Sequence, residues 1–282
     1  MKTKIVLLGA GGKMGCRITD NIRHVEGFEV SYLENSKDGL ARMSERGVHA
    51  AEPDSVLPGA DAVVLAVPDA LIGKITHQIS GHLKTGAIVI GLDPAAAHAG
   101  AFPKGDGVAY FVCHPCHPPL FGDETDPEAL TDWFGGRRAR QSIVCALERG
   151  TERDYELGQR IAREMFKPIL RVHRLTVEQM ALLEPGVVET TCLTLLMSIK
   201  EAMDEAIRMG VPEQAARDFV LGHIRVELAI VFGFAGFPVS DGARLAAEEG
   251  GKLLLRDNWK DVLKPENIHA SVQRIAQSRK GP

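Results

Sequence analysis

The sequence predicts an α/β fold in which a doubly wound parallel sheet is followed by an all-helical C-terminal domain. Short apolar runs rich in β-branched residues alternate with helical stretches over the first 175 residues. These runs are continuously apolar, which is typical of parallel strands covered by helices on both faces. From Val177 onward the pattern is helical, without a strand signal. We therefore expect a first domain at residues 1–175 and a second at residues 176–282.

The elements of the first domain follow one another in a regular order. Strands are predicted at residues 4–8, 28–33, 62–67, 87–92, 108–113, 142–146 and 168–172. Helices are predicted at residues 14–25, after a glycine turn that follows the first strand, and at residues 154–166. Residues 121–140 are rich in Asp, Gly and Arg and have no clear period, so this segment is predicted to be irregular.

Composition and charge exclude several classes of partner. The 282 residues are 45% hydrophobic and 25% charged, with a net charge of −4, which leaves no basic surface for nucleic acid or an anionic membrane. We expect no targeting segment and no apolar run of the roughly 20 residues needed to cross a bilayer. The five cysteines are odd in number and lie mostly in apolar runs, which predicts free thiols and a cytoplasmic protein. Small molecules and further copies of the chain remain as partners.

A glycine-rich turn follows the first strand and opens a helix, which is the context of a dinucleotide-binding fingerprint. Glycines allow a tight turn and let backbone N–H groups approach a pyrophosphate at the positive end of the helix. The spacing fits two patterns, one through Gly9 and Gly11 and the other through Gly9, Gly12 and Gly15. The predicted cofactor contacts in this turn are Gly9, Gly11, Gly12, Lys13 and Met14.

Glu34 ends the second strand, 25 residues after Gly9. A carboxylate at this position accepts hydrogen bonds from the ribose hydroxyls of NAD and repels the 2′-phosphate of NADP, so NAD is the expected cofactor. The cation Lys37 lies nearby and works against this preference.

Two neighbouring strands end in segments that fall at the ligand-binding edge of an open α/β sheet. Val67, Pro68 and Asp69 close the third strand and are predicted to cover the cofactor, the alternative being an ordinary strand-to-turn junction. Asp93 occupies the corresponding place one strand later, where we interpret it as a helix N-cap in preference to a catalytic acid.

The segment from Cys113 to Pro119 contains two cysteines, two histidines and three prolines. Four metal donors within five residues are too crowded to wrap one tetrahedral zinc ion, which argues against a structural zinc site. As an active-site loop, the segment would present one imidazole to the substrate or to a divalent metal. His114, which is nearest the strand end, is the predicted residue, and a histidine hydrogen-bonded within a tight turn is the alternative.

The helical region contains two further candidates. An apolar stripe on the helix around residues 180–209 extends back to Glu184, where a carboxylate is costly unless it is paired or coordinates a ligand. If the helix instead began at Pro185, Glu184 would be its N-cap. Further along, His223 and Glu227 form an i,i+4 pair on an apolar face, which allows metal binding but favours a polar pair at a subunit interface.

Together these residues suggest a family. The whole chain resembles the 6-phosphogluconate dehydrogenase-like superfamily, which joins a Rossmann domain to a helical domain and dimerises through the helices. Within it, the glycine turn, the His114-Pro115-Cys116-His117-Pro118 segment and the Leu183-Glu184-Pro185-Gly186 segment resemble the D-apionate oxidoisomerases. Dehydrogenases of this superfamily that use a catalytic lysine place it shortly before a glycine at the start of the long helix. Here no lysine precedes Gly186 within residues 180–185.

The resemblance implies NAD-dependent oxidation of a branched sugar acid at C2, followed by a hydroxymethyl shift that yields a 3-oxo acid. It implies a homodimer and a divalent metal, with His114 and Glu184 as metal ligands or groups of proton transfer. One alternative is a 2-hydroxyacid, phosphogluconate or prephenate type of dehydrogenase without rearrangement. Another is an NAD-binding redox sensor without catalysis.

Overall fold

The computed structural model describes residues 1–105 and 107–276. Contacts between residues divide the chain into two units, one made of Met1–Leu183 with the segment from His269 onward, the other of Glu184–Ile268. The first unit includes the beginning of the helix at Val177, a residue that the sequence analysis assigns to the second domain.

A seven-stranded sheet forms the centre of the first unit, in the order β2-β1-β3-β4-β5-β6-β7. Its strands are β1 (Thr3–Leu8), β2 (Phe28–Leu33), β3 (Ala62–Leu65), β4 (Ile88–Gly91), β5 (Ala109–Pro115), β6 (Gln141–Arg149) and β7 (Ile169–Arg174). The chain leaves β1 toward β2 on one side and returns to β3 on the other, so the topological switch point lies between β1 and β3. The predicted Rossmann fold is confirmed.

The helices of this unit cover both faces of the sheet. They are α1 (Lys13–Ile22), α2 (Lys37–Glu45), α3 (Pro53–Val56), α4 (Asp69–Ser80), α5 (Ala95–His98), α6 (Pro127–Leu130), α7 (Glu152–Phe166) and α8 (Val177–Ala181). Neighbouring residues of β1 face opposite sides: Ile5 packs in one apolar cluster with Ile161 of α7, and Val6 packs in another with Ile72 of α4. Burial on both faces explains why the strands are continuously apolar in sequence.

One feature of the sheet differs from the all-parallel prediction. β6 runs antiparallel to β5, and β7 is parallel to β6. A parallel return needs a long crossover, usually a helix. The polar segment between β5 and β6 contains only the four-residue helix α6, so the chain comes back alongside β5 in the opposite direction.

Helices also make up the second unit. α9 (Thr194–Arg208), α10 (Glu213–Val231), α11 (Asp241–Leu254) and the start of α12 (Pro265–Ala276) follow a π-helical segment at Leu182–Leu193. Many large apolar side chains on this unit are exposed, among them Phe219, Phe232, Phe234, Leu253 and Leu254. Five residues of this unit are buried, namely Pro185, Gly186, Met203, Ala216 and Ile268.

The helix that spans Val177–Arg208 corrects one expectation from the sequence. It is 32 residues long, and its most apolar 18-residue window has a mean hydropathy of 1.4 and is 22% buried. By length and composition alone it is sufficient to cross a bilayer, contrary to the expectation that no such segment exists. Met180, Ala181, Pro185 and Gly186 are nonetheless buried against other parts of the protein.

All five cysteines are free thiols, as predicted. Cys16, Cys113 and Cys145 are buried, and Cys116 and Cys192 are exposed.

Candidate active site

The glycine turn between β1 and α1 has the geometry of a close-approach loop. Gly9 has a φ of 73°, which favours glycine, and its N–H donates to the carbonyl oxygen of Leu33 at 2.9 Å. A Cβ atom at Gly9 would overlap the carbonyl oxygen of Ala66, and one at Gly15 would overlap that of Gly9. A Cβ atom at Gly11 would likewise overlap the backbone of Gly39, so both spacings contain close backbone approaches. The N–H of Gly12 donates to the Gly9 oxygen at 3.0 Å.

Two other predicted contacts of the turn are placed at the start of α1. The Lys13 ammonium lies over the ring of Phe134, with 3.7 Å between Nζ and the ring centroid. Arg17, one helical turn later, forms an ion pair with Asp132. Met14 is half-buried against the core. The irregular segment thus packs against the amino-terminal half of α1, which the sequence did not predict.

The Glu34 carboxylate is held at the end of β2 by four donors. Oε1 accepts from the backbone N–H groups of Asn35 and Ser36 and from the Ser36 hydroxyl, and Oε2 accepts from the N–H of Gly11 at 3.0 Å. Burial raises the pKa of Glu34, but the hydrogen bonds from Ser36, Asn35 and Gly11 outweigh it, so the pKa lies below its usual value. Glu34 therefore remains a carboxylate beside the glycine turn.

Val67 and Pro68 follow β3, which ends at Leu65, and Asp69 is the first residue of α4. Burial, together with the negative charge of Asp93, raises the pKa of the Asp69 carboxyl to about 6, while His114 opposes the rise. The Asp69 carboxyl therefore interacts electrostatically with both Asp93 and His114. Its predicted contact with the cofactor, like those of Val67 and Pro68, stays a prediction.

His114 lies near the end of β5, and its ring is oriented by a backbone hydrogen bond. Nδ1 is 2.8 Å from the carbonyl oxygen of Leu92, which follows β4. A carbonyl oxygen only accepts, so this contact places a proton on Nδ1, and in the neutral imidazole the lone pair is then on Nε2. An imidazole in this tautomer can bind a metal or accept a proton through Nε2. Its neighbour His117 instead bonds through Nδ1 to the Phe134 carbonyl at 3.1 Å.

Glu184 lies inside a helix, so the N-cap alternative is wrong. The helix begins at Val177, where Thr176 caps it by accepting from the N–H of Gln179. Pro185 is accommodated within the π-helical segment Leu182–Leu193, whose i→i+5 pattern shifts the hydrogen bonds that a proline interrupts. Such π-helical turns occur frequently at functional sites. Glu184 directly follows Leu183, the last residue of the first unit's main segment.

Asp93, His114 and Glu184 each offer one ligand atom, and these three atoms all lie within 4.8 Å of one another. The structure thus brings together the two residues predicted as metal ligands. It adds Asp93, which the sequence analysis interprets as an N-cap. Pro94 and not Asp93 is the N-cap of α5, although Asp93 Oδ1 accepts from the N–H of Ala95, the first residue of that helix, at 2.7 Å. A carboxylate has a second oxygen, which can serve as a ligand atom. The sequence did carry a signal for including Asp93, because Asp93 and His114 each follow directly after one of two consecutive predicted strands.

One imidazole nitrogen and two carboxylates form a donor set that suits a divalent cation. A group for proton transfer is also present, because burial and then the negative charge of Asp93 raise the pKa of the Asp69 carboxyl to about 6. A divalent cation would also relieve this crowding of negative charge. The donor chemistry therefore fits a metal, on the sheet edge that also carries the glycine turn.

His223 and Glu227 both lie on α10. His223 Nδ1 bonds to the carbonyl oxygen of Phe219 at 2.8 Å, and its ring stacks on that of Phe219 with centroids 4.1 Å apart. The hydrogen bond that the structure shows for His223 thus goes to Phe219 and not to Glu227.

Comparison with known proteins gives consistent matches over the chain. Residues 122–276 match the family model described as phosphogluconate dehydrogenase (decarboxylating) C-term. The chain is 49% identical over 274 residues to a D-apionate oxidoisomerase of Rhizobium rhizogenes, covering 97% of this chain and 99% of that relative. It is 48% identical over 276 residues to a D-apionate oxidoisomerase of Cupriavidus necator, covering 98% and 100%.

A solved structure is similar over nearly the whole chain. It is a semialdehyde dehydrogenase NAD-binding protein from Cupriavidus necator in complex with calcium and NAD. The TM-score is 0.95 at 48% sequence identity, and the match covers 98% of this chain and 100% of that one.

Proposed function

This chain belongs to the D-apionate oxidoisomerase family, within the 6-phosphogluconate dehydrogenase-like superfamily, and we propose that it is an NAD-dependent oxidoisomerase of a branched sugar acid such as D-apionate. The observation that carries the proposal is the group formed by Asp93, His114 and Glu184, which lies on the same sheet edge as the glycine turn. Dinucleotide and small polar substrate meet at this edge in open α/β sheets.

The proposed reaction is balanced in two stages. In the first stage, the C2 hydroxyl of D-apionate loses its proton to a base of the protein. Carbon C2 loses its hydrogen as hydride, which leaves a 2-oxo acid. In the second, the C3–CH₂OH bond breaks as the same hydroxymethyl group bonds to C2. The C3 hydroxyl gives up its proton as C3 becomes the ketone, and the C2 oxygen takes up a proton, giving 3-oxo-isoapionate. Bound NAD would supply the hydride acceptor, and the second stage is redox-neutral.

His114 is the residue we place at the reacting carbons. Its Nδ1–H is held by the Leu92 carbonyl oxygen, so Nε2 is fixed in direction. That nitrogen either takes the hydroxyl proton or, together with Glu184 and Asp93, holds a divalent cation. A cation there would supply a Lewis acid that favours negative charge on the oxygens at C2 and C3.

Oxygen and nitrogen donors favour a hard divalent cation such as calcium, magnesium or manganese. The relative from Cupriavidus necator was crystallised with calcium as well as NAD, which supports a divalent cation without identifying it here. No lysine precedes Gly186 in residues 180–185, which favours this route over lysine-based chemistry.

NADH absorbance with D-apionate as substrate tests the proposal directly. We expect NADH to form with NAD in the presence of a divalent cation, and product formation to stop after treatment with a chelator. A protein that binds NAD but turns over no sugar acid would instead support the role of a redox sensor.

The cofactor is expected to be NAD in preference to NADP, because Glu34 is an anchored carboxylate at the ribose position. A charged hydrogen bond to the ribose is worth about 1.5–3 kcal/mol, so the ratio of the two dissociation constants should be about tenfold or more. Titration of both nucleotides by calorimetry measures this ratio, and equal or tighter binding of NADP would refute the expectation.

We propose that a second copy of the chain covers the exposed apolar residues of the helical unit, giving a cytoplasmic homodimer. Light scattering at micromolar concentration, without detergent, should show twice the chain mass. Phe232→Glu should weaken the dimer, because Phe232 is 68% exposed within one chain. Leu120→Glu in the first unit, at 70% exposure, is the matched control and should leave the dimer intact. A wild-type monomer would contradict this proposal.

A further inference from the structure

We infer that Gly39, in the first turn of α2, is a positioning residue for NAD selectivity: its missing side chain leaves the space in which Glu34 is held. Gly39 is five residues beyond Glu34 and is buried. The inference rests on the proposed use of NAD, and it assigns a role to a residue outside the glycine turn and the end of β2.

A side chain at position 39 would collide with Glu34. A Cβ atom on Gly39 would lie 2.5 Å from Glu34 Cδ, 2.7 Å from Glu34 Cγ and 2.5 Å from Ser36 Oγ. All three are side-chain atoms, and carbon atoms in contact normally lie about 3.5–4.0 Å apart. An added methyl group would therefore displace the Glu34 side chain and leave the backbone of α2 where it is.

The opposite side of Gly39 packs against the glycine turn. A Cβ atom on Gly11 would overlap the Cα, C and O atoms of Gly39, so the two backbones are in direct contact. The Gly11 peptide groups are then held on both sides: its N–H donates to Glu34 Oε2, and its carbonyl accepts from Arg42 Nε of α2 at 2.6 Å. Helix α2, Glu34 and the glycine turn thus form one connected unit.

This packing determines how firmly the Glu34 charge is held. Three donors fix Oε1 and one fixes Oε2, and Ser36 Oγ in turn accepts from the N–H of Gly39 at 3.1 Å. If Glu34 swung aside to admit a 2′-phosphate, it would give up these four hydrogen bonds. The carboxylate therefore stays in place and repels the phosphate, and only close approach of Gly39 makes this arrangement possible.

Gly39→Ala tests the inference in the full-length protein. Alanine favours a helix over glycine, which offsets the disturbance of the Ser36 hydroxyl that caps α2, so the variant should keep α2 and its melting temperature should fall by only a few degrees at most. We expect NAD to bind about tenfold or more weakly, because the displaced carboxylate no longer meets the ribose hydroxyls. NADP gains nothing from Glu34 and should be affected much less. The NAD-to-NADP ratio from calorimetric titration is the readout.

Gly81→Ala is the matched control, since Gly81 has helical backbone angles (φ −69°, ψ −13°) and a Cβ atom there meets open space. This variant should keep the wild-type ratio. A second comparison uses the Glu34→Ala background, which lacks both clashing carbons. If Gly39 acts through Glu34, adding Gly39→Ala to Glu34→Ala should weaken NAD binding no further.

Three outcomes would overturn the inference. They are an unchanged nucleotide ratio in Gly39→Ala, equal losses for NAD and NADP, and an additional loss of NAD affinity in the Glu34→Ala background. A wild-type protein that binds neither nucleotide would overturn the proposed function and this inference with it. Wild-type selectivity for NAD that survives Gly39→Ala would overturn this inference alone.

Discussion

The His114→Ala variant is expected to form NADH from D-apionate about 1,000-fold more slowly than the wild-type protein, the middle of the range for loss of a proton-transfer group. The imidazole is oriented by Leu92 and offers Nε2 next to Asp93 and Glu184, and alanine removes that atom without a substitute. Steady-state kcat/KM measures the loss. NAD affinity should be unchanged, because the glycine turn and Glu34 are not altered.

His117→Asn is the matched control for this experiment. The His117 ring lies 6.1 Å from that of His114 and is turned to the Phe134 carbonyl. Asparagine tolerates the φ of 62° found at this position, so the loop conformation is retained. We expect a much smaller loss of kcat/KM in His117→Asn than in His114→Ala. A His114→Ala variant with nearly full activity would contradict the assignment.

The His114→Ala variant also distinguishes the two roles proposed for His114. If Nε2 holds a divalent cation, His114→Ala should impair both the oxidation and the hydroxymethyl shift. If Nε2 is only the base for the hydroxyl proton, the shift should proceed when the 2-oxo acid is supplied directly. Comparing the two stages in the variant therefore separates ligation from proton transfer.

The second large effect is expected for Glu184→Gln, which keeps the shape of the side chain and removes its charge. We expect divalent-cation affinity to fall about 100-fold, because loss of one of two carboxylates lowers the negative charge of the site. Affinity for NAD should remain intact. Calorimetric titration of the cation and of NAD on the same protein measures both quantities.

Glu189→Gln on the same helix is the control, because Glu189 is exposed and is not a member of the Asp93, His114 and Glu184 group. It should bind the cation like the wild-type protein. Full product formation by metal-free wild-type enzyme would refute the role of the cation, whatever the affinity of the variants.

Much of the fold follows from local pattern. The residues of β2 are those predicted, and the glycine turn, the end of β3 and the start of the long helix lie within a few residues of expectation. Periodicity and turn chemistry depend on neighbours in sequence, which explains this agreement. The antiparallel direction of β6 goes with a polar connection that contains only a four-residue helix. Contacts such as those of this segment with Arg17 and Lys13 are tertiary and leave no periodic signal.

The candidate site could likewise be predicted only as far as single residues stand out from their neighbours in sequence. His114 stands out as a histidine at a strand end followed by proline, and Glu184 as a carboxylate in line with an apolar face. Asp93 was missed because an aspartate before a helix has an ordinary explanation as a cap, and the structure does show one bond from Asp93 Oδ1 to the N–H of Ala95 at the helix start. Only the placement of β4 beside β5 reveals that the same carboxylate lies near His114.

The carbon skeleton of the product tests the central claim most directly. NMR of the product formed from ¹³C-labelled D-apionate, NAD and a divalent cation should show the hydroxymethyl carbon bonded to C2 and the ketone at C3. This β-keto acid should also lose CO₂ on standing. A product that keeps the original skeleton, with the ketone at C2, would contradict the account and identify a dehydrogenase without rearrangement.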